Sequence, residues 1–162
     1  MDHLAQLFRR IADWLDLATR IVSAMLFAVM IVVVGYEVIM RYWFSTPTFW
    51  SSELASWSMV WVALLGFALA FRRMDHIRID FHLVGLTGSL ATVLAVLRYL
   101  IVAALAGVLL WQGINLTISG LRQTSPGLGL TYAWLYASAV ASSVLMLVFL
   151  AELALRRETR PF

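Results

Sequence analysis

Four long apolar runs dominate the sequence and constrain its fold; they cover about 17–40, 50–71, 90–118 and 132–155. Each has at least the roughly 20 residues that a helix needs to cross a hydrocarbon core of about 30 Å. Backbone groups within lipid must be satisfied inside the segment, so these runs predict helices. Mean hydropathy is +0.88 and 62% of residues are hydrophobic, well above the roughly 45–50% of soluble domains. We therefore predict an all-α membrane protein with four transmembrane helices, forming a single domain over 1–162.

Arginine placement predicts how the chain is oriented. The N-terminal segment, the 72–89 connection and the C-terminal tail together carry nine Arg, whereas 41–49 and 119–131 carry one each. The positive-inside rule then places both termini in the cytoplasm. Before the first span, apolar residues recur at helical spacing, which predicts an amphipathic interfacial helix; they are Leu4, Leu7, Phe8, Ile11, Trp14, Leu15 and Ala18.

Composition excludes several functional classes. The chain has no Cys, so disulfides, thiolate metal sites and cysteine nucleophiles are absent. It has no Lys either, which excludes Schiff-base chemistry and a Walker-type phosphate loop. The net charge of +3 comes from Arg residues beside apolar runs, a pattern that favours phospholipid headgroups as partners over nucleic acid.

The stretch "FRRMDHIRID", 71–80, has the residue types of an active site or metal site. His76 and Asp80 are four residues apart, but only His82 lies nearby as a further ligand, so no metal site is expected. We predict instead a cytoplasmic surface loop that contacts headgroups, span ends or a partner chain through Arg72, Arg73, His76, Arg78 and Asp80. All three His residues lie outside the spans, which argues against haem. No cofactor and no enzymatic activity are expected.

Charged residues near the ends of the first two spans have two interpretations each. Glu37 and Arg41 have the spacing of a favourable helical ion pair, or they contact another subunit. Glu53 is a helix-start carboxylate near a Ser51 or Ser52 cap, or it bonds to Arg41 or to a partner.

Two further charges lie in the last two spans. Arg98 is expected to extend to lipid headgroups, with a partner carboxylate as the alternative. Glu152 is expected to pair locally with Arg156, four residues on.

Aromatic and small residues suggest packing surfaces. Trp50 belongs to an aromatic belt at one membrane surface, and Trp57 and Trp61 form a stripe on the second span. With Glu37, Arg41 and Glu53 these residues are our candidates for a subunit interface. The motifs Gly66-x3-Ala70 and Ala103-x3-Gly107 predict close helix approach.

The spans contain no Pro and no central acid, unlike transporters that bind solutes at mid-membrane. We therefore predict an accessory membrane subunit. A stand-alone small transporter or channel, and a haem-free membrane anchor of a respiratory complex, remain as alternatives.

Four stretches of the sequence carry a family resemblance: "YEVIMRY", "FWSSELASW", "VWVALLGFALAFRRMDHIRID" and "TSPGLGLTYAWLYASA". With these, the chain resembles the small membrane subunit (DctQ-like) of tripartite ATP-independent periplasmic (TRAP) transporters along nearly its whole length.

The resemblance implies partners and a role. It implies a bacterial inner-membrane protein that braces a large membrane subunit, which holds the substrate and sodium sites. It also implies a periplasmic binding protein that delivers an organic acid, such as a C4-dicarboxylate or sialic acid, and that docks with help from the small subunit.

Overall fold

The computed structural model describes residues 2–46, 48–74 and 89–158, which form four helices. These are α1 (Asp2–Trp43), α2 (Phe49–Met74), α3 (Ser89–Gly120) and α4 (Ala133–Glu158). Each contains a stretch long and apolar enough to span a membrane. Over the described residues, extended pairing is limited to one isolated bridge between Thr124 and Thr131. The prediction of an all-α, four-span membrane protein is confirmed.

All four helices are longer than the predicted spans, and α1 and α2 show what the extensions contain. The interfacial segment and the first span form one continuous helix, α1, whose 42 residues extend about 63 Å, roughly twice a hydrocarbon core. Helix α2 continues to Met74, so Arg72 and Arg73 lie in its last turn. The predicted start of the loop at residue 72 was therefore too early.

The turn between α1 and α2 has defined caps. Ser45 has a φ of 50° and the Thr46 amide donates to the Met40 carbonyl at 3.2 Å, as in a Schellman cap. At the start of α2, the Ser51 hydroxyl donates to the Thr48 carbonyl at 2.8 Å, and the two side-chain oxygens are 2.7 Å apart. The cap therefore involves Thr48, which the sequence analysis did not identify.

Helix α4 is the centre of the bundle, since it packs against α1, α2 and α3. Helix α1 also packs on α2, whereas α3 contacts α4 alone among the described helices. Small residues allow these helices to approach closely; the buried cluster comprises Ala12, Ala68, Ala106, Met146 and Phe149.

The glycines that bring α3 against α4 are not the predicted ones. A Cβ on Gly113 would lie 3.2 Å from Val140, and one on Gly120 would lie 2.7 Å from the Ala133 amide nitrogen. A Cβ on Gly66 or Gly107 would meet nothing within 4 Å, so neither glycine brings two helices of this chain close together.

Candidate functional site: two polar clusters

Polar side chains are concentrated at the two ends of the bundle and separated by an uncharged layer. Glu53 and Arg72 lie at opposite ends of α2, about 28 Å apart along the helix axis. Asp16 and Glu37 are about 31 Å apart in α1. Residues 21–36, 54–71, 99–120 and 133–151 contain no charged side chain. The layer matches the roughly 30 Å thickness of a hydrocarbon core.

The first group, the Arg72 cluster, joins three helices. Arg72 donates through Nε and Nη2 to the two carboxylate oxygens of Glu152 in α4, at 2.9 and 3.0 Å. Nη2 also donates to Asp13 of α1 at 2.6 Å, and Nη1 lies 3.6 Å from Asp16. The guanidinium stacks over the Phe149 ring, 5.1 Å from its centroid. One arginine therefore ties α1, α2 and α4 together.

Burial distinguishes this cluster from a surface ion pair. The side chains of Arg72 and Glu152 are 8% and 1% exposed. Planar guanidinium groups suit such sites because they bond carboxylates in a bidentate manner. The sequence analysis placed Arg72 in the loop, contacting headgroups. The structure turns its side chain inward, because an arginine at this depth gains more from three carboxylates than from solvent.

The acids of α1 were also assigned differently by sequence. Asp13 and Asp16 lie between the apolar positions of the segment for which an amphipathic interfacial helix is predicted, so the pattern indicates only a polar face for them. In the structure Asp16 is 4% exposed and also pairs with Arg20. The sequence did contain a signal for this pairing. Arg72 lies at the same predicted cytoplasmic end of the spans as three acids, namely Asp13 and Asp16 of α1 and Glu152 of α4. An intramembrane charge requires a partner, and this pairing satisfies both sides.

The second group, the Glu53 cluster, fastens a loop to α2. The Glu53 carboxylate accepts a hydrogen bond from the Gly127 amide at 2.9 Å and from the Tyr132 hydroxyl at 3.4 Å. Ser125 is hydrogen-bonded to it as well. Because Gly127 lies so close, a Cβ there would collide with the carboxylate. Glu53 therefore holds the connection between α3 and α4 against the first turns of α2.

That connection is itself a tight turn. The Ser125 amide donates to the Leu130 carbonyl at 2.8 Å, and the Gly129 amide returns to the Ser125 carbonyl at 3.0 Å. Gly129 has a φ of +67°, which favours glycine. The stretch "SPGLGL" was noted only as part of a resemblance; the structure gives it a partner in Glu53.

Glu37 and Arg41 form a local pair, one of the two interpretations above. Arg41 Nη2 donates to Glu37 Oε1 at 3.0 Å, and the Arg41 side chain is 58% exposed. Within the described part of the chain no ion pair joins Glu53 to Arg41. The predicted bond from Glu53 to Arg41 was therefore wrong, whereas its alternative, a bond from Glu53 to a partner chain, stays a prediction.

The three candidate tryptophans differ in their surroundings. Trp57 is 7% exposed and packs on Tyr132 with ring centroids 5.6 Å apart, so it offers little surface to another subunit. The Trp61 indole donates to the Trp134 carbonyl at 3.1 Å. Trp50 is exposed and lies 5.6 Å from the Tyr36 ring. Of the three, Trp50 has the most surface available for a partner.

Four of the predicted contact residues have side chains that the structure does not describe. His76, Arg78 and Asp80 lie outside the described residues, and so does the side chain of Arg98. Arg73 is exposed in the last turn of α2. Over the described residues, no group of three His, Cys, Asp or Glu is arranged to hold a metal ion.

Three hydroxyls inside the uncharged layer donate to backbone carbonyls. Ser142 donates to Leu64 of α2 at 2.7 Å, whereas Ser143 and Thr117 donate within their own helices. These hydrogen bonds hold helices together and leave their hydroxyl protons unavailable to a solute. The side chains of the Arg72 and Glu53 clusters likewise bond helices and loops to one another, and neither cluster presents a reactive group.

A sequence model of one family, "Tripartite ATP-independent periplasmic transporters, DctQ component", matches residues 30–160. The chain belongs to this family. This DctQ chain is also 23% identical, over 137 residues, to a Haemophilus influenzae protein named as a TRAP transporter small permease protein. The alignment covers 85% of the chain and 83% of that relative. Family membership makes the chain a multi-pass subunit of a TRAP transporter. The Glu53 cluster lies within the matched region, and so do Arg72 and Glu152, whereas Asp13 and Asp16 precede it.

Proposed function

We propose that this chain is the membrane scaffold of a sodium-coupled TRAP transporter for organic acid uptake. In this role it braces the large transport subunit in the bacterial inner membrane. Both its termini lie in the cytoplasm. The periplasmic binding protein docks with help from two connections, the one between α1 and α2 and the one between α3 and α4. The substrate is a C4-dicarboxylate, sialic acid or a similar acid, bound by the partner chains.

The uncharged layer is the observation that carries this proposal. At one edge of the layer Arg72 pairs with Glu152; at the other, Glu37 pairs with Arg41 and Glu53 is hydrogen-bonded to Gly127. A carboxylate solute crossing the layer would need polar partners near mid-membrane, as in transporters with broken helices. The four stretches of the layer contain no charged side chain, which supports a brace over a solute path.

Uncovered helix surfaces support a large membrane partner. Helices α1 and α3 each have 11% of their most apolar window buried within the chain. Val32 of α1 and Val108 of α3 are 69% and 60% exposed. Such faces are covered by lipid in an isolated chain, and a scaffold would use one of them against its large subunit.

Unique cysteines test this proposal, because the native chain has none. Val32→Cys and Val108→Cys would be introduced separately into a tagged chain, with the buried Ala68→Cys, 0% exposed, as the matched control. After cross-linking in native membranes, we expect at least one exposed variant to join a large polytopic protein identified by mass spectrometry. The control should give no such product.

Two results would overturn the proposal. One is recovery of the chain alone under mild conditions that keep other membrane complexes intact. The other is solute flux into liposomes that contain this chain alone, which would establish a stand-alone transporter.

A further inference from the structure

A groove of about 310 Å³ opens beside the Glu53 cluster, between the first turns of α2 and the start of α4. Its polar wall consists of Ser52, Glu53 and Ser56. We propose that this groove binds the primary ammonium headgroup of a phospholipid, namely phosphatidylethanolamine.

The polar wall offers acceptors in place of donors. The Ser56 hydroxyl donates to the Ser52 carbonyl at 2.8 Å, and the Ser52 hydroxyl donates to the Phe49 carbonyl at 3.1 Å. Each oxygen retains lone pairs, and the carboxylate of Glu53 accepts only. None of the lining residues is Arg or His. A positively charged group with several N–H donors fits this wall, whereas a free anion would find no cation.

Aromatic rings form the back of the groove. Trp57 and Tyr132 both line it, with ring planes inclined by 49°. Cations are attracted to aromatic faces, most strongly where water is excluded. A quaternary ammonium would use the rings but has no N–H group to donate to the oxygens of Ser52, Glu53 and Ser56. The groove should therefore distinguish phosphatidylethanolamine from phosphatidylcholine.

The groove also changes from polar to apolar along the helix axis. Val60 and Leu135 line its other end, and Val60 lies about 10 Å along α2 from Glu53. A lipid has the same polarity, with its headgroup at Glu53 and its glycerol and acyl chains toward Val60. A lysine side chain from a partner would use the polar end alone. The apolar end therefore favours a lipid as the occupant.

Co-purified lipid provides the test. The chain would be reconstituted in nanodiscs with equal amounts of phosphatidylethanolamine, phosphatidylcholine and phosphatidylglycerol of identical acyl chains. After extraction in mild detergent, retained lipids would be counted by mass spectrometry. We expect phosphatidylethanolamine to be retained several-fold over each of the other two.

Two variants locate the binding. Ser56→Phe fills the groove while leaving the bond between Glu53 and Gly127 intact, and it should return the lipid ratio to that of the nanodisc. Ala63→Phe is the matched control, since it is an exposed position two turns further along the same face of α2 and outside the groove. It should keep the enrichment.

Three outcomes would overturn the inference. The first is equal retention of all three lipids, or preference for phosphatidylglycerol. The second is enrichment that survives Ser56→Phe. The third is an unchanged lipid ratio in the nanodiscs together with loss, on Ser56→Phe, of a membrane protein that co-purifies with the tagged chain from native membranes, which would make a partner side chain the occupant. The lipid count does not depend on transport, so it is independent of the proposed scaffold role.

Discussion

Arg72 and Glu152 are eighty residues apart in sequence, yet the guanidinium of one bonds both carboxylate oxygens of the other at 2.9 and 3.0 Å. The pair joins the last turn of α2 to α4 and draws in Asp13 of α1. Removing either partner leaves a charge without its counterpart in a buried site, which is costlier than the pair's net contribution. The stability of the bundle should therefore depend strongly on this pair.

Glu152→Gln should destabilise the chain by about 3–5 kcal/mol, because Arg72 would lose its bidentate partner while remaining buried. Glu37→Gln is the matched control: its pair with Arg41 is exposed, and such pairs contribute about 0–1 kcal/mol. Unfolding in graded denaturing detergent, followed by circular dichroism, would measure both. Equal effects of the two substitutions would show that the Arg72 cluster is not a buried ion pair.

Gly127→Ala should loosen the loop on α2. The added methyl group would meet the Glu53 carboxylate and lie 3.1 Å from the Phe49 carbonyl oxygen, and backbone cannot move aside easily. We expect a loss of about 1–3 kcal/mol, as for overpacking elsewhere.

Gly107→Ala is the control for Gly127→Ala, since its methyl group meets nothing within 4 Å. Alanine is the better helix former by about 0.8–1 kcal/mol, so this variant should be as stable as the parent or more so. Thermal unfolding in detergent would compare the two variants. A neutral Gly127→Ala would contradict the close contact with Glu53.

Ser142→Ala and Ser143→Ala should differ although the residues are adjacent and both buried. The Ser142 hydroxyl bonds the Leu64 carbonyl of α2, whereas Ser143 bonds Ala139 of its own helix. Interhelical hydrogen bonds in membranes contribute about 0.6 kcal/mol on average and up to about 1.7. Only Ser142→Ala should lower stability by this amount in the same unfolding assay. A larger effect at Ser143 would place the contact between α2 and α4 elsewhere.

The proposed orientation predicts a labelling pattern. Gln123→Cys, in the connection between α3 and α4, should react with a membrane-impermeant maleimide in spheroplasts. Gln6→Cys, in the first turns of α1, should react only after lysis. Both side chains are exposed, so access depends on which side of the membrane they occupy. The reverse pattern would invert the predicted topology.

The sequence by itself determined the four helices, and it offered the pairing of Glu37 with Arg41 as one of two interpretations. Both depend on local properties: the length of an apolar run, and a spacing of four residues on one helix. The ends of α1 and α2 were harder to predict from the sequence, because hydropathy falls at the membrane surface whereas helical hydrogen bonding continues past it.

The tertiary structure decided which charges meet across helices. Arg72 with Glu152, and Glu53 with Gly127, join positions that are 80 and 74 residues apart. Hydropathy cannot predict such pairs, because lipid is as apolar as the interior of the helix bundle. The pattern of apolar residues therefore does not reveal which face of each helix points into the bundle. Small residues let helices approach closely at particular rotations, and in α3 the residues that lie against α4 are Gly113 and Gly120, not the predicted Gly107.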